Sequence, residues 1–134
     1  MRTVLDASAA ANIILRTDLA SGLIDKLEQS RLVIAPALFH CEIANTLWKY
    51  VRCGDLDQDT ALTRYAEAVG LVDAFEADER LATEALSAAV RYNHPVYDLL
   101  YVILARRHGG KILSVDKRLV ALVGQMDASL LFQP

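Results

Sequence analysis

Asp6 ends a short apolar run, M-R-T-V-L-D, and small residues follow it at once, A-S-A-A-A-N. Asp116 ends a second such run, K-I-L-S-V-D-K-R-L. Two more acids interrupt segments that are otherwise apolar. Glu42 lies in P-A-L-F-H-C-E-I-A-N-T-L-W-K-Y. It borders a helical stripe of Ile43, Ala44, Leu47, Trp48 and Val51, and shares a face with Asn45 and Lys49. Asp98, in V-Y-D-L-L-Y-V-I-L-A, is the lone carboxylate of a segment apolar nearly all round, the pattern of a buried helix. If the four meet, they cannot remain uncompensated. Two like charges about 4 Å apart repel by up to about 4 kcal/mol at an effective dielectric of 20. Either some carboxyls hold protons or a cation is bound. An all-carboxylate set without histidine favours a hard, oxygen-seeking ion, Mg²⁺ or Mn²⁺. Mg²⁺ takes one or two carboxylates and keeps several waters, which leaves room for a phosphate.

Each acid also has an ordinary explanation. Asp6, Asp98 and Asp116 each precede a helical run, where Asp is a preferred N-cap worth about 1 kcal/mol. Glu42 lies about six residues past Pro36, beyond the reach of a capping box, and alone would fit a half-solvated helix face. What points to a site is the conjunction: two acids at strand ends and two on strongly apolar helices.

The elements around them alternate. Strands are expected at 2–5, 32–35, 71–75, 112–115 and 130–132. Helices are expected at 7–15, 18–29, 37–52, 57–69, 78–92, 97–108 and 117–124, with Pro36 in the first turn of the third and Gly109-Gly110 as a helix stop. Such alternation implies a parallel sheet of about five strands covered on both faces, a three-layer α/β/α domain with right-handed crossovers. Parallel strands all end at one edge of the sheet, and ligands of open α/β sheets bind outside that edge. Asp6 and Asp116 are therefore expected on one rim, although 110 residues apart in the chain.

With 134 residues, the chain has room for one ordinary domain, 1–134. A hydrophobic content of 54% argues against disorder, and no stretch approaches the roughly 20 apolar residues of a membrane span. The Ala7–Leu15 run could pass for the apolar part of a signal peptide. Its cationic flank is only Arg2, and Arg16 and Asp18 close it without a good cleavage site, so a cytoplasmic protein is expected. Cys41 and Cys53 form no C-x-x-C pair and read as reduced thiols, at least one of them in the core. His40, His94 and His108 are scattered and are assigned no catalytic part. A net charge of −3 argues against a general nucleic-acid coat but leaves room for a local basic rim around an acidic centre.

The motifs D-A-S after the first strand, E-I-A-N on a helix, Y-D-L-L-Y-V-I-L-A and S-V-D-K-R-L stand in the order and spacing of PIN-domain ribonucleases. In size the chain resembles the VapC-type toxins of toxin–antitoxin pairs, and the resemblance covers essentially its whole length. It implies strand order 3-2-1-4-5 and metal-dependent cleavage of RNA that leaves 5′-phosphate and 3′-hydroxyl ends. By motif, Asp6, Glu42, Asp98 and Asp116 match the family's acidic quartet. The first three would hold one ion, with Asp116 on its far side or helping to hold a second. Ser8 matches the small hydroxyl residue two positions after the first acid, and Ser114 stands where the family often has Thr. Tyr97 and Leu99 are bulkier than the residues expected beside Asp98, which puts the width of the cleft in question.

RNA also needs positive charge. Arg16, Lys49, Arg52, Lys117 and Arg118 follow the acidic motifs closely enough to ring a cleft, although a solvated surface is the usual place for each. Trp48 and Tyr50 are candidates for stacking on bases, with a core or interface place favoured for Trp48. The resemblance further implies a homodimer and a cognate antitoxin that covers the cleft. Three other readings are open. A haloacid-dehalogenase-like phosphatase wants a second Asp where Ser8 stands. A phospho-accepting receiver domain wants a lone acid at the end of the third strand, where V-D-A-F offers Asp73 inside a run. A PIN-like scaffold that only binds a partner would have no use for an intact quartet.

Overall fold

A computed structural model describes residues 1–132. Four strands form: β1 (Arg2–Leu5), β2 (Leu32–Pro36), β3 (Ala74–Glu76) and β4 (Lys111–Leu113). All pair in parallel, in the order β3-β2-β1-β4. The seven expected helices form as α1 (Ala7–Ile14), α2 (Ala20–Glu28), α3 (Leu38–Arg52), α4 (Gln58–Gly70), α5 (Asp78–Tyr92), α6 (Val96–His108) and α7 (Lys117–Asp127).

The strands read as continuous apolar runs because both faces of the sheet are covered. Their side chains alternate between two cores. Val4, Ile34 and Ile112, aligned by register, pack with α5, α6 and α7. Leu5, Val33, Ala35 and Leu113 pack with α1, α2, α3 and α4. α6 is buried from Leu99 through Ala105, as its lack of a polar face predicts. It ends at Gly109, whose φ of 61° is the left-handed turn of a helix C-cap. Gly110 follows where a Cβ would meet the Arg2 carbonyl oxygen at 3.2 Å, so β4 can approach β1 closely.

Several expectations are corrected. The fifth strand at 130–132 shrinks to one parallel bridge between Leu131 and Ile112, because a 3-10 turn takes up Ala128–Leu130. That bridge is on the expected outer edge. The Leu113 carbonyl accepts from Asp6 N towards β1, while the neighbouring Ile112 carbonyl accepts from Phe132 N on the other side. β3 begins later than 71, because Leu71 caps α4 and Val72 is buried in the core. Asp73 then anchors it: its amide donates to Val33 O at 2.8 Å and its carboxylate accepts from Val33 N at 2.7 Å. Pro36 closes β2, one residue before the helix cap at Ala37. Both cysteines are free and exposed, so neither belongs to the core.

Candidate active site

The four acids line one cleft of about 260 Å³ at the C-terminal edge of the sheet, together with Ala7, Ser8, Asn45, Thr46 and Lys49. Asp6 arrives from β1, Glu42 from the second turn of α3, Asp98 from the first turn of α6, and Asp116 from the loop after β4. Chain segments on opposite faces of the sheet thus meet over its rim.

Capping, the ordinary explanation, holds for one acid of the three. Asp116 accepts from the amides of Arg118 at 2.8 Å and Leu119 at 3.4 Å, both at Oδ1. Asp6 occupies the N-cap position of α1 without capping it. Its Oδ2 instead accepts from the hydroxyls of Ser8 at 2.5 Å and Ser114 at 2.7 Å. Backbone amides of Val115 and Asp116 donate to those same hydroxyls, so the end of β4 clamps the end of β1 through two serines. Asp98 caps nothing; its Oδ2 lies 2.8 Å from His94 Nε2, one turn earlier. Glu42 Oε1 accepts from the Tyr101 hydroxyl at 2.6 Å.

A pattern runs through these contacts. Each acid has one oxygen held by a neighbour. The second oxygens, Asp6 Oδ1, Glu42 Oε2, Asp98 Oδ1 and Asp116 Oδ2, take no hydrogen bond among the described residues. None is a completely sealed, unpaired buried atom. Elsewhere Asp57 caps α4, Asp78 accepts from Leu38 N, and Glu67 and Glu84 pair with arginines.

The electrostatics match this crowding. Burial holds Asp6 above the ordinary carboxylate range; the Ser8 and Ser114 hydroxyls oppose this, and the charges of Asp116 and Asp98 add to it. Burial also pushes Glu42 up to about 7, against the Tyr101 hydrogen bond and with the charges of Asp6, Asp98 and Asp116 behind it. Burial, then the charges of Glu42 and Asp6, raises the Tyr101 phenol well above its usual range, so it stays a donor. Among the described residues, no three His, Cys, Asp or Glu side chains are drawn close enough to cage a metal ion by themselves.

Of the expected basic rim, the structure brings only Lys49 into the lining. Lys117 and Arg118 are exposed at the start of α7, outside it. Arg16 pairs with Glu67 at 3.7 Å, and Arg52 lies over the Trp48 ring at 4.8 Å. Leu99 is sealed in the core and Tyr97 is exposed; neither lines the cleft, so neither narrows it. Trp48, favoured for a core or interface place, is 53% exposed. It borders a second, apolar groove of about 500 Å³ between α3 and α4, with Ala44, Leu47, Val51, Ala61, Leu62 and Tyr65.

Sequence reasoning missed two site residues. His94 was set aside with the other histidines, yet it stands four residues before Asp98, one helical turn away. Tyr101 carries a hydroxyl in an otherwise apolar helix, three residues after Asp98. A buried phenol needs a partner, and that was the available signal.

A model of the PIN domain matches residues 3–124. Over 121 residues the chain is 31% identical to Ribonuclease VapC3 of Pyrobaculum aerophilum, spanning 89% of this chain and 92% of that one. The crystal structure of PAE2754, also from Pyrobaculum aerophilum, superposes with a TM-score of 0.71 at 22% identity, covering 91% of this chain and 84% of that one; it shows a common fold. A sheet that gathers its acids on one rim, a family model along nearly the whole chain and a relative matched end to end agree: the chain belongs to the PIN-domain family, with the VapC-type proteins.

Proposed function

We propose that this protein is a metal-dependent endoribonuclease and the toxin of a toxin–antitoxin pair. One observation carries the reading: four carboxylates from four segments line one cleft, each with one oxygen tied by a hydrogen bond and the other without one among the described residues. The name of the VapC relative supports the substrate class.

The donor set fits a hard cation, being all carboxylate oxygen. Burial first, and the neighbouring carboxylates after it, disfavour the charged forms of Asp6 and Glu42, a cost that a bound cation would offset. Among the described residues no three such side chains are gathered closely enough to hold an ion by themselves, so a bound Mg²⁺ or Mn²⁺ would have to keep several waters. Asp6, Glu42 and Asp98 would hold it, with Asp116 beyond it or helping to hold a second. When bound, such an ion supplies charge to the phosphate and acidifies water. Lys49, in the same lining, is placed to meet a phosphate oxygen; Lys117 and Arg118 would contact RNA further from the scissile bond. A water oxygen adds to phosphorus in line, the bond to the 3′ oxygen breaks, and the products carry 3′-hydroxyl and 5′-phosphate ends. Ser8 has a positioning part here, holding Asp6 rather than substrate.

The alternatives lose ground on the same geometry. Position 8 offers a hydroxyl already donating to Asp6, not the second Asp of a phosphatase. Asp73 accepts from Val33 N inside the sheet, so it is no exposed phospho-acceptor. A cognate antitoxin and a homodimer belong to the reading, and the exposed apolar side chains of the α3–α4 groove are surface that a partner-binding protein would retain.

The test is incubation with total RNA in Mg²⁺ and in EDTA, with end analysis of the products. Cleavage in Mg²⁺ alone, leaving 5′-phosphates, is expected. RNA left intact in Mg²⁺ would sink the proposal.

A further inference from the structure

We propose that the pocket between α1 and α3, beside the acidic cleft, is a subsite for one unstacked nucleobase of a single-stranded RNA, with Tyr50 as its stacking platform. The inference rests on the ribonuclease reading above and adds a subsite to it. The pocket measures about 260 Å³, and Ser8 and Thr46 line both it and the acidic cleft. Asn12, Leu15, Thr17 and Tyr50 line the pocket alone of the two. One row of α3 joins them: Glu42, Thr46 and Tyr50 stand at i, i+4 and i+8 on a shared helix face. At 1.5 Å per residue, Tyr50 is about 12 Å along the axis from Glu42. A strand with its scissile phosphate in the cleft therefore has a neighbouring base within reach of the ring.

The pocket is ordered before a ligand arrives. Asn12 Nδ2 donates to the Ser8 carbonyl at 2.9 Å, and Asn12 Oδ1 accepts from the Thr17 hydroxyl at 2.7 Å. A carbonyl can only accept, so the orientation of the amide is fixed. The end of α1 brings Thr17 there. Arg16 is left-handed at φ 57°, and the amides of Arg16 and Thr17 donate back to the Ile13 and Asn12 carbonyls, each at 3.1 Å. This is a helix ending in which glycine is the usual left-handed residue. What remains free suits a base. Among the described residues, the second Asn12 N–H and the Tyr50 hydroxyl have no hydrogen-bond partner. The Thr46 hydroxyl spends its hydrogen on the Glu42 carbonyl, which leaves its lone pairs to accept. The edge of a base offers both donors and acceptors, and its face stacks on an aromatic ring. Trp48, the other aromatic candidate, is on the α4 side of the helix with Arg52 already over its ring.

The experiment measures binding of single-stranded hexamers of adenosine, of cytidine and of uridine, and of an abasic hexamer that keeps ribose and phosphate. Fluorescence anisotropy in Ca²⁺ and in EDTA follows their binding to wild type, Tyr50→Ala and Tyr50→Phe, and circular dichroism melts verify folding. Tyr50→Ala is expected to raise the dissociation constants of the base-bearing hexamers about tenfold, the usual loss for one stacked base. Tyr50→Phe keeps the ring and should stay close to wild type. The abasic hexamer should bind all three proteins alike. A second measurement uses wild type alone, with its five tyrosines labelled at Cζ. The resonance missing from Tyr50→Phe identifies Tyr50, and it should move with the uridine hexamer and not with the abasic one. Unchanged binding by Tyr50→Ala would overturn the proposal. So would an equal loss for the abasic hexamer, a Tyr50→Phe variant as weak as Tyr50→Ala, a Tyr50 resonance that the uridine hexamer leaves unmoved, or hexamers that bind wild type in neither condition. With total RNA still cleaved, any of these removes only the subsite. A base-dependent loss in Tyr50→Ala with total RNA left intact removes the nuclease reading and keeps a nucleobase site. RNA uncut and hexamers unbound overturn both.

Discussion

Helix α3 builds two clefts that differ in kind. Glu42, Asn45, Thr46 and Lys49 face the acidic cleft, and Ala44, Leu47, Trp48 and Val51 face the apolar groove shared with α4. In the first, each carboxylate is tied by a hydrogen bond to another residue, so its geometry is over-determined by polar contacts of fixed direction. In the second, side chains are held mainly by packing, with Arg52 over the Trp48 ring, and Trp48 and Leu62 remain 53% and 60% exposed. The acidic cleft is costly to keep and specific in what it accepts. The groove is cheap to keep and tolerant of substitution. Substitution in the first should therefore change chemistry far more than stability, and in the second the reverse wherever a side chain reaches the core.

The largest expected effect is at Asp6. Asp6→Asn keeps an acceptor for the Ser8 and Ser114 hydroxyls but removes a nearly sealed charge, 5% exposed. Cleavage should fall by more than about 100-fold, since a ligand should cost at least what its supporting partner costs. The metal-free variant should melt no lower than wild type, because the charge it loses is penalised by burial and by Asp116 and Asp98. Mg²⁺ should raise the wild-type melting temperature by mass action and raise the variant's much less. A variant that melts well below wild type yet keeps its activity would erase the contrast between the two clefts.

Stability should respond on the other side of α3. Leu47 is buried beneath the groove, and Leu62 borders it from α4. Leu47→Ala should cost about 2–5 kcal/mol through lost burial and a cavity. Leu62→Ser should fall within about 0.5 kcal/mol of wild type. Denaturant midpoints of the two variants decide this, and equal losses would mean that the groove wall is part of the core.

These contrasts also explain what could be read from the residues alone. The quartet was legible because a carboxylate in an apolar segment needs a special reason to be there. The layers were legible because the strand and helix periods differ. The stripe on α3 was legible, but its depth was not. Hydrophobicity at helical spacing gives a direction around the axis and does not say what covers that direction, so Ile43 and Leu47 are buried while Trp48 and Ala44 are exposed. β3 slipped because Asp73 does a strand residue's hydrogen bonding with its side chain, which no period records. Tyr101 was missed because its partner is 59 residues away, and no local rule pairs them.

A third effect depends on pH in EDTA. The folded protein raises the Glu42 pKa from 4.5 to about 7, so it keeps a proton that the unfolded chain has released. The associated stability is fully present below about pH 4.5 and is lost as pH rises through about 7. Asp6, also raised, acts in the same direction. The metal-free melting temperature should therefore drop between pH 5.5 and pH 8. Glu42→Gln should flatten the drop without abolishing it, since Asp6 remains. A flat wild-type profile would show that neither burial nor the neighbouring charges disfavour ionisation there, and the acidic cleft would lose its distinction from an ordinary polar surface.

The smallest effect separates Lys49 from Arg118 and maps where the acidic cleft ends. Lys49 lines it, whereas Arg118 is exposed outside it and is linked to the site through its backbone amide on Asp116. Each phosphate neutralised by a cation contributes to the salt dependence of RNA affinity, with a slope of about 0.7 per contact on a single strand. Lys49→Ala should raise the RNA dissociation constant and flatten the salt dependence by about one such contact. Arg118→Ala keeps the backbone amide, so the Asp116 cap survives and only a peripheral charge is lost. Its slope should change less than that of Lys49→Ala. Binding should be measured in Ca²⁺ or in EDTA, to keep the RNA intact, across a salt series from about 50 to 200 mM. Equal changes for the two variants would extend the substrate path past α7. An unchanged slope for both would return both cations to the solvated surface and leave RNA attraction to residues beyond the cleft.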